Sequence, residues 1–205
     1  MHRNLLPTLL LAVLLTACGG NTPSAPPLAE QAGAPESTTA ADPATRKQAI
    51  DALLELDPGR VAVYAQVPGA QRPVIVEDGA FPEEVATTWN VLRDAAGHVV
   101  LVLEIPFSES GDWSIVLGHY FDAQGRTFAF ERRAAFYNSL CTDGLAHETA
   151  TRHYAPDGRE TDALFSLKDE AGQDLDRAEC DFPYDHPYTM HPTLAELVAA
   201  TGLTL

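Results

Sequence analysis

The sequence predicts an α+β fold: a mostly antiparallel β meander of about seven strands, with an N-terminal and a C-terminal helix packed on the sheet. Three observations carry that prediction. An Asp-x-x-Gly element recurs between apolar runs at residues 94–98, 122–126 and 169–173, with a variant at 155–159. The runs between these elements alternate apolar and polar residues with period two. The two ends of the folded region carry helix patterns with recognisable stops.

The turn element has a physical basis. In a hairpin built on a type I turn, an Asp in first position accepts bonds from the turn backbone. The fourth position needs a positive φ, which Gly adopts without strain. Four such turns imply a chain that doubles back on itself repeatedly.

The elements follow in order. Residues 45–56 place Ile50, Leu53 and Leu54 on one side and stop at Asp57-Pro58-Gly59, which reads as the first helix. Residues 61–67 read as a short strand ended by Pro68-Gly69, and 73–82 carry no clear pattern. Val85, Thr87, Trp89 and Val91 alternate with polar or small residues, and 98–105 is almost wholly apolar. Trp113, Ile115, Leu117, His119 and Phe121 form another period-two face, and Phe128 and Phe130 share the next. Segments 145–154, 160–167 and 173–179 are progressively more polar, as expected of strands exposed on one side. Thr193-Leu194-Ala195-Glu196 is a capping box, followed by Leu197, Val198 and a terminating Gly202. Both apolar helix stripes are expected to cover one face of the sheet.

Before the folded region, Arg3 precedes an apolar run from Leu5 to Leu15, and Leu15-Thr16-Ala17-Cys18 follows. A basic start, an apolar stretch and small residues at a cut site describe a secretory signal. With Cys at the cut, the segment resembles the lipobox of bacterial lipoproteins. The resemblance implies cleavage before Cys18 and acylation of that cysteine, so residues 1–17 are a signal peptide. The run is short for a roughly 30 Å hydrocarbon core. In the proteobacterial branch of the family, Asp after the cysteine favours the inner membrane. This chain has Gly19, which implies an outer-membrane protein facing the periplasm, with a cell-surface lipoprotein as the alternative. Residues 18–44 hold the lipidated cysteine and a tether rich in Pro and Ala without aromatics, which cannot form a core. A flexible chain of that length averages roughly 30 Å end to end. Residues 45–205 are then a single globular envelope domain.

Composition narrows the partners. With 29 acidic and 13 basic residues the net charge is −16, so nucleic acid is excluded, because phosphate binding needs clustered positive charge. The membrane is met through the lipid anchor alone. With Cys18 acylated, Cys141 and Cys180 are an even pair in an oxidising compartment and are expected to form a disulfide. They lack the C-x-x-C spacing of a redox or zinc site.

Chemistry-bearing residues are sparse. His147-Glu148 begins like H-E-x-x-H, but Thr151 stands where the second His is needed. His147 and His153 lie about 20 Å apart along a strand and cannot share an ion, although His119 could reach one of them across strands. The segment 181–192 is the most unusual, and His186, Met190 and His191 in it are candidate ligands for copper or zinc, with Asp185 as an orienting partner. The alternative is an aromatic and proline lid packed on the sheet. The carboxylates between Asp169 and Asp185 match no calcium loop. Ser108, Ser110 and Ser114 lack a nucleophile elbow, and no phosphate-binding glycine loop is present.

No cofactor is expected beyond the covalent lipid on Cys18. The reading expected from the sequence is a lipid-anchored envelope protein acting as a binding or scaffold module for another envelope component, with no catalytic residues assigned. A periplasmic metal- or small-ligand-binding protein using His186, Met190 and His191 is the alternative, and an unrecognised hydrolase the second.

Overall fold

The computed structural model describes residues 41–137, 139–182 and 186–205. The signal segment, Cys18 and the tether up to residue 40 lie outside the described residues, as does Asp185. Ala40–Leu205 form one compact unit. Among the described residues no helix is long and apolar enough to cross a membrane.

The first helix, α1, spans Pro43–Leu56. Asp42 caps it, its carboxylate accepting from the backbone N–H of Thr45 at 3.1 Å and the Thr45 hydroxyl at 2.6 Å. Pro43 fits the first turn, where its missing N–H is not needed. Eight strands follow: β1 Val61–Gln66, β2 Val74–Ile75, β3 Thr87–Arg93, β4 Val99–Pro106, β5 Trp113–Phe121, β6 Thr127–Phe136, β7 Ala146–Tyr154 and β8 Glu160–Lys168. They form one sheet in the order β2-β1-β3-β4-β5-β6-β7-β8, every neighbouring pair antiparallel. Helix α2, Leu194–Thr201, closes the chain. Thr193 accepts from the Glu196 backbone N–H at 3.2 Å, and Gly202 ends the helix at φ 73°.

All four Asp-x-x-Gly elements form the expected turns. Gly97, Gly125, Gly158 and Gly172 have φ of 89°, 72°, 82° and 78°. Each donates its N–H to the carbonyl three residues earlier. The Asp122 carboxylate accepts from the backbone N–H groups of Gln124 and Arg126, both at 2.9 Å. Asp94 does the same for Ala96 and His98. The first three turns join β3 to β4, β5 to β6 and β7 to β8, so they lie at one end of the sheet. The turn at 169–172 lies at the other end.

Three expectations need correction. The sheet has eight strands rather than about seven. Residues 61–66 and 74–75 both join it, whereas 173–179 does not continue as a strand. There, Asp174 bridges Lys168 and the Leu175 N–H reaches the Leu167 carbonyl at 3.0 Å. Asp176 then caps a 3-10 turn, Arg177–Glu179, by accepting from the Ala178 N–H.

The third correction concerns the helices, which cover opposite faces of the sheet. Successive strand residues point to opposite sides. Tyr120 packs in a cluster with Leu92, Leu101 and Phe128, against which Ile50, Leu53 and Leu54 of α1 rest. Its neighbour Phe121 packs with Trp89, Val91 and Leu197 of α2. The central strands are therefore buried on both faces, which explains the almost wholly apolar character of 98–105.

An ionic network fixes α1 to its face. Lys47 Nζ lies 2.9 Å from Asp51 Oδ2 and 2.7 Å from Glu131 Oε2. Glu131 also accepts from the Thr151 hydroxyl at 2.9 Å, and the Tyr120 hydroxyl donates to Asp51 Oδ1 at 2.7 Å. Burial first, then the neighbouring carboxylates, push the Tyr120 phenol far above its ordinary range, so it acts there as a donor only.

Candidate binding cleft

The second face is covered by the C-terminal strap, the segment between the disulfide and α2. Its two ends are fastened. Cys141 and Cys180 are bonded with their Cα atoms 4.8 Å apart, and the Asp181 N–H donates to the Ser139 carbonyl at 2.8 Å. At the far end Thr127 donates its N–H to the Pro192 carbonyl at 2.9 Å and its hydroxyl to the His191 carbonyl at 2.6 Å. The Leu194 N–H reaches the Gly125 carbonyl at 2.8 Å.

Between these ends the strap lies along the sheet by aromatic contact. Phe182 stacks on Phe136 with centroids 4.4 Å apart, and the Arg177 guanidinium sits 4.3 Å from the Phe182 ring. Tyr188 stacks on Phe130 at 5.7 Å. Beneath them Arg132 forms a buried ion pair with Glu148. Such a pair holds geometry more than it adds stability, because desolvation offsets most of its attraction.

His119 lies at the centre of this face and is fully buried. Its Nε2 accepts from the His191 backbone N–H at 3.1 Å, which places the proton of the neutral ring on Nδ1. Burial, reinforced by the charge of His191, lowers its pKa to about 3. His119 is thus a neutral pin for the strap. It does not partner His147 or His153, which project from the opposite face. His153 instead meets Asp162 at 3.5 Å, and His147 is exposed.

The strap spreads the three candidate metal ligands out. His186 stacks on Trp113 at 6.1 Å, while His191 lies 5.6 Å from His119. Trp113 and His119 are six residues apart on β5, about 20 Å at the rise of an extended strand. Met190 packs between them into the apolar cluster of Ile115, Leu117 and Phe130. The two histidines therefore do not converge, and among the described residues no group of three His, Cys, Asp or Glu side chains forms a metal-holding cluster.

A cleft of about 400 Å³ opens instead between the strap, the end of α2 and the β3–β4 part of the sheet. Trp89, Glu104, Tyr188, Thr189, His191 and Thr201 line it. Glu104 stands directly across from Trp89 in the β3–β4 register. Its carboxyl is half-buried, and burial raises its pKa above the ordinary range. The Trp89 indole N–H favours the charged form in part, but does not reach a partner in hydrogen-bond geometry. Among the described residues no Lys or Arg side chain contributes to the ionisation of Glu104, and His191 is the one basic residue of the cleft lining. The sequence carries a signal for this residue, a single carboxylate within the apolar run 98–105, which belongs to no motif.

Two other surfaces complete the inventory. A wider groove of about 700 Å³ at the opposite end is lined by exposed loop residues, among them Glu83, Glu84, Phe107 and Glu109. The edge strand β8 exposes Leu164 at 56% and Phe165 at 58%. No known protein family matches the chain, and neither a curated protein nor a solved structure is significantly similar to it.

Proposed function

We propose that the chain is a lipid-anchored bacterial envelope protein, held at the outer membrane through Cys18, whose single domain is a binding module for another envelope component. The observation that carries the binding reading is the open edge of β8. Among the described residues only its last residues are covered, by the Leu175 N–H on the Leu167 carbonyl and the Lys168–Asp174 bridge. Since the Leu167 carbonyl points away from β7, the period of a strand turns the backbone groups of Ala163 and Phe165 the same way. Free backbone donors and acceptors flanked by exposed apolar side chains suit addition of an extended segment from a partner.

The test is a photo-reactive residue in place of Phe165 in cells producing the full chain. A discrete cross-link to one envelope component, lost in Ala163→Pro and in Cys18→Ser, supports the reading. No cross-link, or one that survives Ala163→Pro, overturns it, because proline removes an outward N–H while remaining tolerable on an edge.

A second reading, small-ligand binding, is favoured by the cleft around Glu104 rather than by the trio His186, Met190 and His191. The hydrolase alternative gains less. A glycosidase, for example, needs two facing carboxyl groups, and Glu104 is the one carboxylate among the described residues of the cleft.

A further inference from the structure

Among the described residues, Glu104 is a half-buried carboxylate for which the protein supplies no ion pair. A carboxylate moved out of water is normally met by a cation or several hydrogen-bond donors. Glu131 has Lys47, and Glu148 has Arg132. Glu104 faces the indole N–H of Trp89 and, among the described residues, no Lys or Arg side chain; it opens on a cleft, large enough for a small molecule, whose one basic lining residue is His191.

The rest of the cleft suits a positive group. Tyr188 rests on Phe130, with the Arg132 guanidinium 5.7 Å from its ring centroid, and leaves 43% of its surface open; an aromatic face attracts cations through its quadrupole. The Thr201 hydroxyl donates to the Leu197 carbonyl at 2.9 Å and accepts from the Leu203 N–H at 3.4 Å, which leaves its oxygen one further lone pair. The Trp89 side chain, 5% exposed and with an unpartnered Nε1, forms the floor. A chain of net charge −16 also raises the local concentration of cations around it.

We infer that this cleft binds a small organic molecule through a primary ammonium group, with Glu104 as the charge partner, Tyr188 as the aromatic wall and Thr201 as an additional acceptor. The bound ammonium supplies the cation that the fold withholds from Glu104. The site is separate from the β8 edge, and its success or failure does not depend on the edge docking a partner.

Trp89 reports on the site once Trp113, the only other tryptophan, is replaced by Phe. The full chain carrying Trp113→Phe, purified in a non-ionic detergent, is titrated with n-butylammonium chloride, with sodium butyrate and sodium chloride at equal ionic strength as controls. A saturable change in Trp89 emission in the millimolar range, given by butylammonium and not by the controls, is the expected result. Glu104→Gln, which keeps the shape and removes the charge, weakens it about tenfold or more. Ala200→Phe serves as the second variant. Ala200 is exposed on α2 at the rim of the cleft, so the larger side chain fills the opening without entering the core, and it too abolishes the response. Ala163→Pro at the β8 edge leaves the titration unchanged. The inference is overturned by an unsaturable response, by an equal response to butyrate or sodium chloride, or by a response that persists in both Glu104→Gln and Ala200→Phe.

Discussion

The two faces of the sheet treat charge differently. On the α1 face the buried carboxylate Glu131 is closed by Lys47, Thr151 and, at 3.4 Å, Arg133. The acids and bases there come from both the helix and the strands, so the network is complete only when the helix is docked. On the strap face Arg132 and Glu148 close one pair, whereas Glu104 keeps no cation and borders a cleft. A buried charge that the chain itself completes acts as a fastener. One that it leaves incomplete marks a place for something else.

The largest expected effect separates the two coverings. Replacing both Cys141 and Cys180 by Ser releases a 39-residue separation and costs about 4 kcal/mol on the chain-entropy account. Urea unfolding measures the loss. Amide exchange should quicken between residues 177 and 191 before it does so in α1, and uniform acceleration would show that the faces are not independent.

On the α1 face, Lys47→Met strands Glu131 beside the half-exposed Arg133 and is expected to cost about 3 kcal/mol, as breaking a buried pair does. Adding Glu131→Gln recovers part of that loss. A double-mutant cycle reads the coupling directly, and simple additivity of the two changes would refute the fastener role.

The strap face carries an acid sensitivity through His119. Its pKa of about 3 in the fold lies below the ordinary value of 6.5. The unfolded chain therefore takes up this proton first as pH falls. The stability His119 contributes is complete above pH 6.5 and declines below it, by about 2 kcal/mol at pH 5. His119→Gln keeps an acceptor for the His191 N–H and cannot be protonated in that range, so the dependence of melting temperature on pH between 6.5 and 4 should flatten. Glu104 works in the other direction. Because burial raises its folded pKa, its contribution is fullest below the unfolded value of 4.5 and is lost as pH rises through the folded one. Glu104→Gln is expected to raise the melting temperature at pH 8 and leave it unchanged at pH 4, the smallest of these effects.

Much of the fold was legible from local chemistry. The Asp-x-x-Gly turns were readable because each is decided within five residues by an acceptor side chain and a positive φ. The capping box at Thr193 and the stop at Gly202 were local in the same way. The helix stripes showed that Ile50 and Leu197 pack on the sheet but not on which side, since that is settled by distant partners, Tyr120 for one and Phe121 for the other. The apolar run 98–105 already carried the clue, because a strand without polar alternation is covered on both sides. Residues 173–179 misled because a polar segment after a hairpin turn reads as an exposed edge strand, yet the Asp176 cap and the pull of Cys180 toward Cys141 end the pairing after Leu175. β2 is two residues long and exposed, too short to carry a pattern. The cleft was hidden for another reason. Its residues come from β3, β4, the strap and α2, and only the fold brings Trp89, Glu104, Tyr188 and Thr201 together.

Because each strand from β4 to β8 pairs with the one made just before it, and β3 with β1, the sheet can be assembled as the chain emerges. A hairpin forms, and every new strand finds its template already exposed at the growing edge, so the search for partners stays short and the entropy of loop closure is met in small steps. The two coverings keep a different schedule. Helix α1 leads the chain but must wait for Tyr120 and Phe128 to arrive, and the strap comes last of all. The slow events in forming this domain are then the two dockings, and a chain paused before Phe128 would hold a growing sheet with both faces still bare.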